Sequence, residues 1–324
     1  MSSWRSSCST LPSLFVCDTG CRMAVENGQT RSSMGSSMSK SADIFNLMDN
    51  LLPRADYVEL AEPDELQRLY AGVGMPSLRA MELSGQAGVN YHEIKGANPL
   101  LGLVDPIIIR NRYVELREQA LLGDADAIND LGWFWLNGLR LKPNPALARR
   151  LFKIAAVMGA PEALFNLAEL AYYGKGLAVN PGLAIDYYEQ AFESGIICAA
   201  EALGSLYERG DEDVIADHGK AISWYKRGAA EHDSMACFSL GRLALDESSP
   251  EYDPALGLYW LQWAAMKGQV LATERLTDFY FSTFESPPDP DGVLFRFWRD
   301  LAISQGSLWA RELRASNVAI QQVC

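Results

Sequence analysis

A chain of 324 residues that is 48% hydrophobic has enough apolar material for a large core or a long repeat array, and too much to be disordered throughout. Its net charge of −13 makes nucleic acid and anionic membrane surfaces poor partners. The longest apolar runs, such as residues 100–103 and 107–109, fall far short of the roughly 20 residues that cross a bilayer, so no membrane span is expected.

Residues 1–40 are rich in serine and lack apolar periodicity. Arg5, Arg22, Arg31 and Lys40 stand there against Asp18 and Glu26, a local charge of +2 that leaves −15 on the remainder. This stretch is expected to be a disordered N-terminal tail. The apolar run from Leu11 to Val16 is short and broken by proline, so a cytoplasmic location is expected; export is the alternative if residues 1–21 act as an atypical signal. Met23, Met34 and Met38 are possible starts besides Met1. Cys8, Cys17 and Cys21 fit neither a zinc ribbon nor a disulfide framework, which favours a reducing compartment. Cys198 and Cys237 read as small buried hydrophobes.

Residues 41–104 are expected to form a helical cap or a flexible arm. Asp43 can cap a short helix carrying Ile44, Phe45, Leu47, Met48, Leu51 and Leu52, which Pro53 stops. Pro63 opens a second candidate with Leu66, Leu69 and Tyr70 on one side. Gly72, Gly74, Pro76, Gly85 and Gly88 then interrupt any regular element.

From residue 105 to 324 the chain reads as a repeat array. One helix runs from Arg110 to Leu122. A small residue then opens a helix at Ala127, Ala163, Ala199, Ala236, Ala272 and Ala310, with spacings of 36, 36, 37, 36 and 38 residues. Four residues before each lies a helix stop: Gly123, Gly159, Gly195, His232, Gly268 and Gly306. Glycine takes the left-handed backbone that ends a helix at little cost; His232 must bear strain there or use another cap. A period this regular is the mark of a solenoid.

Leucine follows the first five opening alanines four positions later, at Leu131, Leu167, Leu203, Leu240 and Leu276. Gly132, Ala168, Gly204 and Gly241 come next, small enough for a close approach of a second helix. Those second helices offer Leu151-Phe152, Tyr187-Tyr188, Trp224-Tyr225 and Trp260-Leu261, each followed one turn later by small residues. The turn between helices keeps Gly138, Gly174 with Gly176, and Gly210, then gives way to the run from Asp246 to Pro250. The proline-rich stretch 284–292 is expected to be an exposed, stiff loop. A last, polar helix near Ser307 to Ile320 suits a terminal cap.

The phrase A-x3-L-G-x2-Y, a G-x-G turn, then K-A-x2-W-Y and a closing glycine resembles the Sel-1-like repeat, a relative of the tetratricopeptide repeat. Residues 163–195 carry it most fully; Ala199, Leu203, Gly204, Tyr207, Lys220, Ala221, Trp224 and Tyr225 carry it in the next unit. The resemblance covers about residues 105–320. It implies an all-α protein, an α/α superhelix of helix-turn-helix repeats of about 36 residues used as a protein-interaction scaffold or adaptor, as is common in bacteria. Cysteine-rich relatives that act on β-lactams have a regular cysteine pair per unit, which this chain lacks, so that activity is not carried over.

In such stacks the first helices usually line the concave side. The positions opposite their packing face offer Trp133, Phe165, Glu169, Tyr172, Tyr173, Glu201, Glu208, Phe238, Arg242 and Phe281 as a partner-binding strip. Aromatic anchors with charged rims suit a peptide groove, although each aromatic could equally pack against the next hairpin. The expected partner is therefore a protein or peptide. No catalytic residue, metal ligand or cofactor is assigned: His92, His218 and His232 sit in no nucleophile or metal motif, and the run Asp211 to Asp213 lacks the alternation of a calcium loop. The chain is therefore read as not an enzyme. The alternative is a hydrolase or ligand-binding enzyme with a pocket between residues 41–104 and the repeats, with His92 facing the array.

Overall fold

The computed structural model describes residues 43–54, 75, 106–137, 142–211, 213–282 and 291–321. The expected tail, the second short helix near Pro63, His92 and the proline-rich loop lie outside the described residues. Thirteen helices follow one another in those described, with no strand beyond an isolated bridge between Asp211 and Val214. They are α1 (43–51), α2 (Pro106–Leu121), α3 (Ala125–Asn137), α4 (Pro145–Val157), α5 (Pro161–Tyr173), α6 (Pro181–Glu193) and α7 (Ala199–Arg209). The series continues with α8 (His218–Ala230), α9 (Ser234–Ala244), α10 (Pro254–Met266), α11 (Val270–Ser282), α12 (Val293–Ser304) and α13 (Leu308–Gln321).

The helix stops set the period. Gly123, Gly159, Gly195, Gly268 and Gly306 have φ between 87° and 100°, and His232 has φ 66°. At all six, the next N–H reaches back to the carbonyl five residues earlier, as in Ala160 to Ala155 at 3.0 Å and Asp233 to Gly228 at 3.0 Å. This closes the helix end with its otherwise unpaired carbonyls satisfied. His232 therefore keeps the same cap as the glycines. Its ring stacks on Trp263 with centroids 5.5 Å apart.

A second punctuation mark opens every second helix of the first four repeats. Asn144, Asn180, Asp217 and Asp253 accept, through the side chain, a hydrogen bond from the backbone N–H two or three residues on. Each also donates its own N–H to the preceding helix, at Trp135, Ala171, Tyr207 and Ala244, over 2.7 to 2.9 Å. One residue thus caps one helix and ties it to its partner. Proline follows at Pro145, Pro181 and Pro254, where the missing N–H is harmless. The fourth turn has lost its glycine, but Asp246 accepts from the Ser248 N–H and hydroxyl and makes a local turn instead. The hairpin still closes as the others do.

The opening alanines and the leucines four residues later are all buried, and they form the seam between paired helices. A Cβ on Gly132, Gly204 or Gly241 would stand 2.7, 2.4 and 2.7 Å from Phe152, Tyr225 and Leu261 respectively. The large residue of each second helix therefore lies flat on the small residue of the first, as the sequence pattern requires. First helices also touch one another, α3 with α5, α7 with α9, α9 with α11 and α11 with α13. Second helices meet chiefly their flanking first helices. The stack is closer on the side of the first helices, which makes that side the inside of the curve.

Helix α1 covers the open end of the array. Met48 and Leu52 are buried in the same cluster as Tyr113, Leu116 and Ile128. Arg117 pairs with Asp49 at 2.5 Å, and the Tyr113 hydroxyl donates to the Pro53 carbonyl at 2.8 Å. Cys198 and Cys237 are buried, as small hydrophobes are.

Candidate functional site

On the inner side, between α5 and α7, lies a cavity of about 490 Å³. Phe165, Glu169, Tyr172 and Tyr173 come to it from α5, Tyr188 from α6, and Glu201, Ala202, Ser205, Leu206 and Arg209 from α7. Met235 of α9 and Gln269 and Leu271 at the start of α11 complete the wall. Three successive repeats and the beginning of a fourth therefore share one concavity. The regular period builds it: the same helix face recurs every 36 or 37 residues, and each recurrence brings a different side chain to the same wall.

Five of the ten residues expected on the strip line this cavity: Phe165, Glu169, Tyr172, Tyr173 and Glu201. Tyr173 is the exposed member, at 48%, and its ring meets Tyr172 edge to face with centroids 4.9 Å apart. Phe165 is buried, its ring 5.3 Å from Tyr188. Glu169 is buried as well, and its Oε1 accepts from the Tyr188 hydroxyl at 2.6 Å. These two form the floor, and the tyrosine pair forms the rim.

The other five stand elsewhere. Trp133 is 3% exposed and lies in the first core cluster. It is not a surface anchor, because α3 is packed by α2, α4 and α5 together and keeps no free face. Glu208 and Arg242 find each other across two repeats. Arg242 donates to both Glu208 oxygens at 2.5 and 2.6 Å, and the Tyr225 hydroxyl donates to Oε2 at 2.8 Å. Phe238 is half-buried against the core, and Phe281 is exposed with its ring 5.4 Å from Phe295.

The charges around the cavity are mixed. Burial pushes the Tyr173 hydroxyl up, and the nearby Glu169 carboxylate pushes it further; Arg209 opposes both. Burial holds Lys175 below its usual value, and Glu169 draws it back. Burial alone would raise Glu208, but the hydrogen bonds from Arg242 and Tyr225 outweigh it, and the carboxyl lies below its ordinary range. The arrangement offers two aromatic faces, acids and a guanidinium. Among the described residues no group of three or more histidines, cysteines or acids could hold a metal ion. A second depression of about 580 Å³ on the α6 side has Asp186, Glu189 and Glu193 in its wall but no aromatic anchor.

Asn129 stands two residues after the opening Ala127, on the helix face read from the sequence as the strip; the sequence pattern does not single out Asn166. Both are completely buried. The Asn166 amide donates to the Met75 carbonyl at 2.8 Å and to the Asn129 side-chain oxygen at 2.8 Å, while its own oxygen accepts from the Met75 N–H. Asn129 donates to the same Met75 carbonyl at 3.2 Å. Two asparagines 37 residues apart in the first helices of successive repeats are the trace this leaves in the sequence, because buried amides need partners.

The period, the left-handed stops and the helix pairs decide the kinship. The Sel1 repeat model matches residues 125–159, 161–196, 199–233 and 234–269. Residues 125–269 are Sel1 repeats. Over 203 residues, 60% of its length, the chain is 29% identical to an uncharacterized protein of Neisseria meningitidis serogroup B, and it spans 41% of the length of that curated relative. Two solved structures share the fold. A Sel1 repeat protein from Oxalobacter formigenes is 22% identical with a TM-score of 0.51, over 72% of this chain and 86% of its own. A protective antigen present in uropathogenic Escherichia coli strains is 22% identical with a TM-score of 0.52, over 72% of this chain and 50% of its own. Sel1 repeat proteins generally mediate protein–protein interaction and are generally not enzymes. No described helix of this Sel1 array is long and apolar enough to cross a membrane.

Proposed function

We propose that the Sel1 array is an interaction scaffold that receives an extended segment of a partner protein on the inner side of its first helices. The observation that carries this reading is the cavity shared by three successive repeats, with Tyr172 and Tyr173 at its rim and Glu201 and Arg209 brought to its wall by α7. Tyrosine provides large contact area with few torsions to freeze, and a flanking guanidinium and carboxylate fix the register of a partner's polar groups. Phe165, Glu169 and Tyr188 hold the rim in place and are unsuited to mutational tests of binding, since truncating them removes core.

The test is affinity capture from the native cell with the intact chain and with a Tyr172→Ala, Tyr173→Ala, Arg209→Ala variant, followed by mass spectrometry and direct titration of the captured protein. Loss of the partner by the triple variant, with helicity unchanged, supports the reading. A partner retained by that variant, and lost instead on changing Tyr259 of the second-helix side, refutes it.

A further inference from the structure

The contacts to Met75 have the form of peptide recognition. Asn166 takes both the N–H and the carbonyl of one residue, and Asn129 takes the carbonyl again. This is the pairing a neighbouring β-strand offers, supplied here by side-chain amides. Asn166 spends both of its amide hydrogens and its oxygen, and the Asn129 oxygen fixes its orientation. The contacts read backbone, so they place no demand on the identity of the residue held. Its side chain has a separate place: Met75 is buried in the cluster of Phe165, Ala168 and Tyr188. Phe165 and Tyr188 also line the 490 Å³ cavity, so the held residue adjoins the proposed groove. Gly74 precedes Met75 and Pro76 follows it. A residue before proline is biased to the extended backbone that such pairing needs.

Met75 lies 91 residues from Asn166 and 54 from Asn129. Its backbone N–H and carbonyl are both bonded by the array. Any extended segment with an apolar side chain and a free N–H meets the same requirements. We propose that Asn129 and Asn166 form a peptide-backbone clamp for an extended apolar residue of the partner, and that Met75 is the internal competitor for that clamp. The proposal rests on the inner-side reading above and names what the partner must present: one non-proline residue of methionine size in extended conformation.

The test uses the full chain and a fluorescein-labelled peptide with the sequence of residues 70–80, read by fluorescence anisotropy. Met75→Asp places a carboxylate among Phe165, Ala168 and Tyr188 and releases the resident residue. The peptide should bind Met75→Asp at least about tenfold more tightly than the wild type, since a competitor held in the same chain lowers apparent affinity by the fraction of sites it fills. Met75→Gly, which removes only the side chain, should act in the same direction, and both variants should keep the wild-type circular dichroism. Adding Asn166→Ala to Met75→Asp should lose about tenfold or more, and so should methylating the peptide nitrogen at the methionine. Equal binding to wild type and both release variants, no binding to any of them, or indifference to Asn166→Ala overturns the clamp. A partner that depends on Tyr172 and Tyr173 but ignores these changes would refute the clamp and leave the groove standing.

Discussion

Gly204→Ala adds one methyl where the seam is tightest. The new Cβ would stand 2.4 Å from Tyr225 Cε1 and 2.5 Å from Cδ1, against the roughly 3.5–4 Å of ordinary carbon contact. The overlap exceeds an ångström and must be relieved by moving the ring or parting α7 from α8. Tyr225 is 1% exposed, and its hydroxyl sits 2.8 Å from Glu208. A ring shift of about 1 Å carries that hydroxyl beyond hydrogen-bond range. Overpacking costs about 1–3 kcal/mol, and a lost hydrogen bond to a charged group about 1.5–3 kcal/mol. Alanine returns about 1 kcal/mol of helix propensity over glycine. The net destabilisation is then about 1.5–5 kcal/mol, a urea midpoint lower by roughly 0.5 M or more. Ala168→Gly, the reverse change at the matching position one repeat earlier, should cost only about 1 kcal/mol, mostly propensity. Urea denaturation followed by circular dichroism measures both. Hydrogen exchange should place the Gly204→Ala loss in α7 and α8, because repeats couple mainly to their neighbours. A midpoint unchanged or raised by Gly204→Ala would show that propensity outweighs sterics, and the close-approach argument would fail.

Two further outcomes follow from the caps and the charges. Gly195 has φ 96° with nothing within 4 Å of an added Cβ, so Gly195→Ala isolates backbone strain and should cost about 1 kcal/mol; no loss of midpoint would remove the left-handed stop as the reason for glycine. Glu208 has a folded-state value below its ordinary 4.5, so its contribution with Arg242 and Tyr225 is fully present above that value and is lost as pH falls through the lower one. Wild type should accordingly exceed Glu208→Gln in stability at neutral pH, with the difference shrinking below about pH 4; a difference independent of pH would refute the assignment.

The parts of the fold legible in the sequence are those that every repeat must solve again. The stop at Gly159 or Gly195, the leucine at Leu167 or Leu203 and the small residue under Tyr188 or Tyr225 answer local demands of backbone and packing, so they recur at the period. The cap at Asn144, Asn180, Asp217 and Asp253 recurs in the same way, and the same alignment would have exposed it. The burial of Trp133 was not legible. A helical wheel gives a hairpin one partner and one free face, whereas α3 has neighbours on three sides. Nor was the hold on Met75, since nothing in residues 72–76 advertises a partner 91 residues away. The Glu208–Arg242 pair lies between, legible only once two wheels are set side by side 34 residues apart.

The same contrast bears on how a scaffold of near-identical units could hold a partner in one place. If the inner side repeated as faithfully as the seam, a segment bound there could slip by one repeat at little cost. The seam positions do repeat: alanine opens the first helix six times, and leucine follows it five times. Two residues after the opening alanine the chemistry changes at each step, from Asn129 to Phe165, Glu201, Phe238 and Glu274. Asn129 is bound to Met75 and Asn166, Phe165 floors the cavity, Glu201 lines its wall, and Glu274 accepts from the Ser307 hydroxyl at 2.5 Å. On the proposed reading, this loss of translational symmetry gives the groove a register. A segment shifted by one repeat would meet an aromatic ring where it needs an amide, and would leave its own N–H and carbonyl unpaired, at about 1–3 kcal/mol for each buried group.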